Sequence, residues 1–210
     1  MTRALSPTRR GVLAGAASLA ALAAGGRAAR AADTVVGMIY VGPRDDFGWN
    51  QAHAVGAQAV RELPGVTVVE EENVPESVAV SKTMQSMIEL DGASLIFATS
   101  FGYFDPFMVD LAKKYPEVQF RHPTSLWSAD KHPMNLGGYF CYIEQAHYVN
   151  GVAAGLSTSA NRIGFVGAKP ISVVLRNINA FTMGVRSVNP EARVQLIMTG
   201  EWSLPVREAE

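Results

Sequence analysis

Cysteine is nearly missing from this chain: of 210 residues only Cys141 carries a thiol. An intrachain disulfide and a cysteine-built metal site are therefore excluded. The signatures of common catalytic loops are missing too. There is no Walker phosphate loop and no Gly-rich dinucleotide fingerprint. There is no nucleophile elbow, and no Ser-His-Asp or Cys-His arrangement that the sequence alone supports. Long apolar runs are confined to the first 31 residues, so nothing downstream has the length to cross a bilayer. These absences leave catalysis little to stand on, call for no cofactor, and point to a protein that binds.

What is present begins with a leader. Ser6-Pro7-Thr8-Arg9-Arg10-Gly11-Val12-Leu13 places twin arginines ahead of an uncharged, Ala- and Leu-rich stretch that runs to about Gly26. Ala29-Arg30-Ala31 then offers the small-x-small pattern of a cleavage site. That grammar predicts a twin-arginine-like signal peptide over residues 1–31. A membrane anchor fits less well, because the run is short and poor in bulky side chains. Without a cysteine at the cleavage site a lipid anchor is not expected, which makes the soluble periplasm the expected address. Removing residues 1–31 takes away five arginines and no acidic side chain, leaving 13 basic against 19 acidic residues and a formal charge of −6. An exported acidic domain is a poor binder of nucleic acid or anionic membrane.

From Val35 onward apolar runs alternate with helical patterns. Strands are expected at 35–41, 66–69, 94–98, 118–121, 136–142, 162–166 and 194–199. Helices are expected at 50–63, 77–90, about 104–115, 144–159 and 172–188, with another starting at Pro205. In the first helix Val55, Ala59, Val60 and Leu63 read as the inward face. In the third, Phe104, Phe107, Met108, Leu111 and Tyr115 recur with a period near 3.6. Glu70-Glu71-Glu72 reads as a solvated strand end. Gly151, Ala153, Ala154 and Gly155 would let the 144–159 helix pack closely. Strand-helix alternation of this kind builds parallel, doubly wound α/β sheets. The expected organisation is a first α/β lobe over 32–142, then a crossover helix and a partial second α/β lobe over 143–210.

In such sheets ligands sit beyond the carboxyl ends of the strands. After the first strand comes Gly42-Pro43-Arg44-Asp45-Asp46-Phe47-Gly48-Trp49-Asn50. Trp49 offers a flat apolar face and Asn50 both a donor and an acceptor, chemistry suited to a planar polar molecule such as a nucleobase. Asp46 or Asn50 could equally cap the helix that follows. Ser100-Phe101-Gly102-Tyr103 occupies the equivalent place after the third strand. The Glu144-Gln-Ala-His147 spacing matches half of a carboxylate-bridged metal site but lacks the second half, so no metal is expected. His122 and His132 precede prolines without ligand-spaced partners, and His53 lies in the first turn of the first helix.

The run Gly42-Pro-x-Asp-Asp-x-Gly-Trp-Asn50, with Thr99-Ser-Phe-Gly-Tyr103, Gly137-Gly-Tyr-Phe140, Ile163-Gly-Phe-Val-Gly167 and Arg176-x-Ile-Asn-Ala-Phe181, resembles the basic membrane protein (BMP) family. These are substrate-binding proteins of ABC importers that take up purine nucleosides and related bases. The resemblance covers essentially residues 34–208. It implies a periplasmic-binding-protein type I fold of two Rossmann-like lobes with parallel sheets that close by a hinge on a purine nucleoside or base. A membrane permease and a cytoplasmic ATPase are the implied partners. Carried onto this chain, it implies ligand contact by Asp46, Trp49, Asn50, Phe101, Gly102 and Tyr103, and more weakly by Tyr142, Arg176 and Asn179. Relatives in that family continue past the point where this sequence stops, so a C-terminally truncated member with exposed apolar faces and impaired binding is expected. Two rival readings use the same residues: a periplasmic ligand-sensing domain, and an exported nucleoside-cleaving hydrolase built on Asp45, Asp46 and His53.

Overall fold

The structure is a computed structural model and describes residues 33–210; the expected signal peptide lies outside the described residues. Five parallel strands form one sheet in the order β2-β1-β3-β4-β5: β1 (Thr34–Ile39), β2 (Val66–Glu71), β3 (Leu95–Ala98), β4 (Gln119–His122) and β5 (Leu136–Gly138). Two further parallel strands, β6 (Arg162–Gly167) and β7 (Arg193–Met198), pair only with each other. The connecting helices are α1 (Trp49–Arg61), α2 (Val78–Glu89), α3 (Val109–Lys114), α4 (Ile143–Ser157), α5 (Ser172–Val188) and α6 (Pro205–Ala209). No helix among the described residues is long and apolar enough to cross a membrane.

The apolar runs of β1 and β3 pack on both faces, as central parallel strands do, with Leu95 and Phe97 of β3 partly buried. On one face Ile39, Ile96, Phe120 and Leu136 meet Val80, Met84 and Met87 of α2 and Leu111 of α3. On the other, Val36, Met38, Tyr40 and Val68 meet Ala57 of α1. Each such large side chain contributes about 1.5–3 kcal/mol when removed from water. Gly37 lets α2 lie close, because a Cβ there would stand 2.6 Å from Ile96 Cδ1 and 2.8 Å from Met87 Sδ.

Three details differ from the sequence expectation. The inward face of α1 is built from Asn50 and Ala57, with Ala54 and Val60 partly buried, while Val55 and Leu63 are 61% and 54% exposed. Alanines let the helix approach the sheet, and the bulkier Val55 is turned outward. The expected helix from Phe104 does not run through. A single 3₁₀ turn (Phe101–Tyr103) leads into a wide turn, and Asp105 is extended (φ −123°, ψ 127°). Pro106 forces this, since it disfavours helical geometry in the residue before it; the regular helix starts only at Val109. Finally, β5 ends at Gly138, not Tyr142. The chain there presses on the β4 side, where a Cβ on Gly138 would meet the Thr124 carbonyl at 2.3 Å.

Glu70 also departs from expectation. Its side chain is 8% exposed, takes a hydrogen bond from the Tyr40 hydroxyl at 2.8 Å, and pairs with Arg61 and Arg44. Beyond β5, α4 and α5 cross through glycine contacts, while the β6–β7 sheet leaves Val166, Leu196 and Ile197 exposed.

Candidate functional site

The carboxyl ends of the five-stranded sheet face the second sheet across a cleft of about 160 Å³. Its near wall comprises Val41, Asp46, Trp49 and Asn50 after β1, Ser100 and Phe101 after β3, Pro123 and Thr124 after β4, and Phe140 with Ile143 at the start of α4. The far wall comprises Ile171, Val173, Val174 and Asn177 of α5 and its approach, with Trp202 after β7. Four aromatic rings and a band of aliphatic carbons thus surround a few polar groups.

Asp46 organises the β1 loop. Its Oδ1 accepts from the backbone amides of Gly48 and Gln51, each at 2.9 Å. Its Oδ2 accepts from the Asn50 backbone at 3.1 Å and the Asn50 side-chain amide at 2.9 Å. Burial pushes this carboxyl upward, but the hydrogen bonds outweigh it and hold the group below its ordinary range. Asp46 therefore satisfies the free amides at the start of α1 while lying on the cleft wall, and with four donors it has no free role as an acid or base. His53, the other acid/base candidate, turns Nδ1 to the Trp49 carbonyl at 2.8 Å and packs at a tilt of 54° against the Trp49 ring, centroids 4.7 Å apart.

Trp49 is anchored by its indole N–H, which donates to the Thr99 carbonyl at 2.5 Å. Asn50 is buried, and because its amide nitrogen is committed to Asp46, its Oδ1 is left buried without a hydrogen-bond partner. Asn177 Oδ1, on the opposite wall, is also buried and unpartnered. An unpaired buried acceptor costs about 1–3 kcal/mol. The two walls thus each carry one amide with unmet capacity for a donor.

The other expected site residues fall elsewhere. Gly102 sits behind the wall, its amide donating to Glu76 Oε1 at 2.7 Å. Tyr103 is fully buried in the core of the five-stranded sheet, with its hydroxyl donating to the Val74 carbonyl. Tyr142 is 74% exposed at the junction into α4. Arg176 lies outside the cleft lining, 3.6 Å from Glu144 and over the Phe140 ring at 5.7 Å. Asn179 is exposed on the far side of α5, and Asn177 occupies the cleft instead. Among the described residues no three His, Cys, Asp or Glu side chains gather to hold a metal, and Glu144 faces Arg176.

Sequence reasoning missed Thr124, Phe140, Asn177 and Trp202, together with Glu76 behind the wall. For Thr124, Phe140, Glu76 and Trp202 the only local signal is a place shortly after a strand's carboxyl end; Asn177, inside α5, has none. Glu76 accepts from Ser100 Oγ at 2.6 Å, Trp202 Nε1 at 2.8 Å and Lys169 Nζ at 3.0 Å, besides Gly102. Burial raises its carboxyl, yet these four donors bring it below the ordinary range.

Comparison with known proteins agrees with this architecture. Residues 33–208 match the family described as ABC transporter substrate-binding protein PnrA-like. A purine-binding protein of Brucella abortus (strain 2308) is 36% identical over 196 residues, which is 92% of this chain and 54% of that protein. A putative ABC transporter glucose-binding protein of Haloferax volcanii is 37% identical over 176 residues, 81% of this chain and 43% of that one. The solved structure of an ABC transporter solute-binding protein from Aeropyrum pernix K1 superposes with a TM-score of 0.67 at 22% identity, over 82% of this chain and 49% of that one, a likeness of fold. The chain spans about half the length of the curated relatives it matches. With parallel α/β sheets facing one another across an aromatic cleft and a family match from residue 33 to residue 208, the chain belongs to the PnrA-like (Bmp) family of ABC transporter substrate-binding proteins.

Proposed function

We propose that this protein captures a purine base or nucleoside in the periplasm for an ABC importer. Residues 1–31 would be a cleaved signal peptide without a lipid anchor. The first lobe would run over 32–142, the second over 143–210, and hinge closure would bring the walls onto the ligand. The closed form would then dock on an inner-membrane permease driven by an ATPase, and no reaction is catalysed. The observation that carries this reading is the cleft itself: Trp49, Phe101, Phe140 and Trp202 surround it, and an unpaired amide oxygen belongs to a lining residue on each side. A flat ring system fits between the aromatic rings, and its N–H groups would donate to either amide oxygen once closure turns that oxygen toward the cleft. Its volume is below the roughly 300–1,000 Å³ of drug-sized ligand pockets, which favours a compact bicyclic ligand. A sugar, with a hydroxyl on nearly every carbon, would find too few polar partners.

Base–aromatic stacking is worth roughly 1–3 kcal/mol, so Trp49→Ala is expected to weaken adenine binding by about 5- to 150-fold. Calorimetric titration of the full chain with adenine, adenosine and glucose measures this, with far-ultraviolet circular dichroism as the check on folding. Equal affinity in wild type and variant would retire Trp49 as the stacking plate. Glucose binding in preference to both purines would retire the ligand class. A sensing role would use the same cleft and differ only in its partner. Stimulation of a reconstituted permease–ATPase by the loaded protein separates transport from sensing.

A further inference from the structure

Glu76 lies in the loop between β2 and α2, outside the cleft lining, yet it touches both walls. From the first-sheet side, the Ser100 hydroxyl and the Gly102 amide donate to its Oε1 at 2.6 and 2.7 Å. From the second-sheet side, the Trp202 indole N–H donates to the same oxygen at 2.8 Å, and Lys169 Nζ reaches Oε2 at 3.0 Å. Lys169 also pairs with Glu201 at 3.1 Å and stands over the Trp202 ring at 5.4 Å. The glutamate side chain is 15% exposed, so its contacts are poorly screened. Position 102 is built around it: a Cβ there would stand 2.6 Å from the Glu76 carboxyl carbon.

We infer that Glu76 is a positioning residue that latches the two walls of the cleft. One carboxylate fixes the turn carrying Phe101 and, at the same time, the segment carrying Trp202. It thereby sets the gap into which a planar ligand slides. The ligand part of this inference rests on the function proposed above; the latch itself does not. Breaking the latch frees Trp202 and Lys169 together, because both hold to the same carboxylate. A ligand then escapes faster from a cleft whose far wall no longer has a fixed distance from Phe101.

The test has two readouts on the purified full chain. The first needs no ligand. Spin labels at Lys82→Cys on α2 and Arg186→Cys on α5, in a Cys141→Ser background, report the distance between the two sides. Wild type is expected to give one narrow distribution, Glu76→Ala a broader and longer one, and Glu76→Gln and Lys169→Met intermediate ones. The second is the adenine dissociation rate by stopped flow, expected to rise about tenfold in Glu76→Ala, because the walls that enclose the ligand are no longer tied to each other and differences between related complexes fall mainly on dissociation. Should Glu76→Ala fail to fold, Glu76→Gln and Lys169→Met carry both readouts. Distance distributions that coincide with wild type in every folded variant overturn the latch. If no protein binds adenine but the distributions widen, the latch stands and the ligand assignment falls.

Discussion

Gly184→Ala should destabilise the protein by about 1–2 kcal/mol, whereas Gly56→Ala should stabilise it by up to about 1 kcal/mol, although both place the same methyl group in a helix. The difference lies in what the methyl meets. A Cβ on Gly184 of α5 would stand 2.0 Å from the Tyr148 carbonyl oxygen and 3.0 Å from the Val152 nitrogen, both backbone atoms of α4. The contact is reciprocal, since a Cβ on Gly151 would stand 2.0 Å from the Phe181 carbonyl oxygen, and one on Gly155 2.8 Å from that of Val185. Backbone cannot rotate away as a side chain can, so the two helices must separate along their crossing. Overpacking of this kind costs about 1–3 kcal/mol, occasionally more. It outweighs the helix propensity of roughly 1 kcal/mol that alanine gains over glycine. Gly56 in α1 has nothing within 4 Å of its missing Cβ, so there propensity acts alone. Urea midpoints of the two variants against wild type decide the matter, and equal shifts would show that α4 and α5 do not depend on their glycines. The same helix α5 carries Val173, Val174 and Asn177 to the cleft, so displacing it also moves the far wall.

The strands were legible because central parallel strands must be apolar on both faces, and the apolar runs at 35–41 and 95–98 have no other good use. The helices were legible from their period, but their orientation was less so. In α1 the packed positions are Asn50, Ala54, Ala57 and Val60, so the expected inward face holds at Val60 and fails at Val55, Ala59 and Leu63. Asn177 and Asn179 show how fine the distinction is: two residues along a helix rotate a side chain by about 200°, from the cleft to solvent. Tyr103 follows the third strand as Phe101 does, but its ring lies in the core and its hydroxyl is spent on the Val74 carbonyl. The Pro106 break was visible in the sequence, because proline excludes helix at the residue before it, yet the strong apolar period concealed it. Trp202, Phe140 and Glu76 were illegible for a different reason. Glu76 and Trp202 are separated by 126 residues, and no local pattern encodes a contact made only when two sheets face each other.

Acid should weaken the fold through His122, and the size of the effect follows from its burial. The imidazole is fully buried between the walls of the first-sheet core. Its Nε2 lies 2.8 Å from the Ser100 carbonyl, which can only accept, so that nitrogen carries the hydrogen. Nδ1 then accepts from the Thr124 hydroxyl at 2.7 Å, and the ring is neutral. Burial pushes its pKa down to about 4, against weaker opposing influences from the Ser100 carbonyl and the Glu76 carboxylate. The folded-state value is therefore depressed below the unfolded value of about 6.5. Above pH 6.5 neither state binds the proton and His122 contributes no slope. Between pH 6.5 and about 4 the unfolded chain takes up a proton that the folded chain refuses. Stability is lost across that window, to a total of about 3 kcal/mol. His53 and His147 are also depressed by burial and act in the same direction, so the wild-type slope alone does not isolate His122. The difference between wild type and His122→Asn does, since the variant removes one titrating group and leaves the others. Urea unfolding between pH 7.5 and 4.5 should show wild type losing stability faster than the variant, whatever their offset at pH 7.5. Parallel curves would show that the ring titrates normally in the folded state. Because Ser100 and Thr124 both line the cleft, protonating His122 takes the acceptor from the Thr124 hydroxyl and disturbs the near wall. Ligand affinity of the folded protein should therefore hold through most of that window, where the ring stays neutral, and decline only as the pH approaches about 4, less so in His122→Asn.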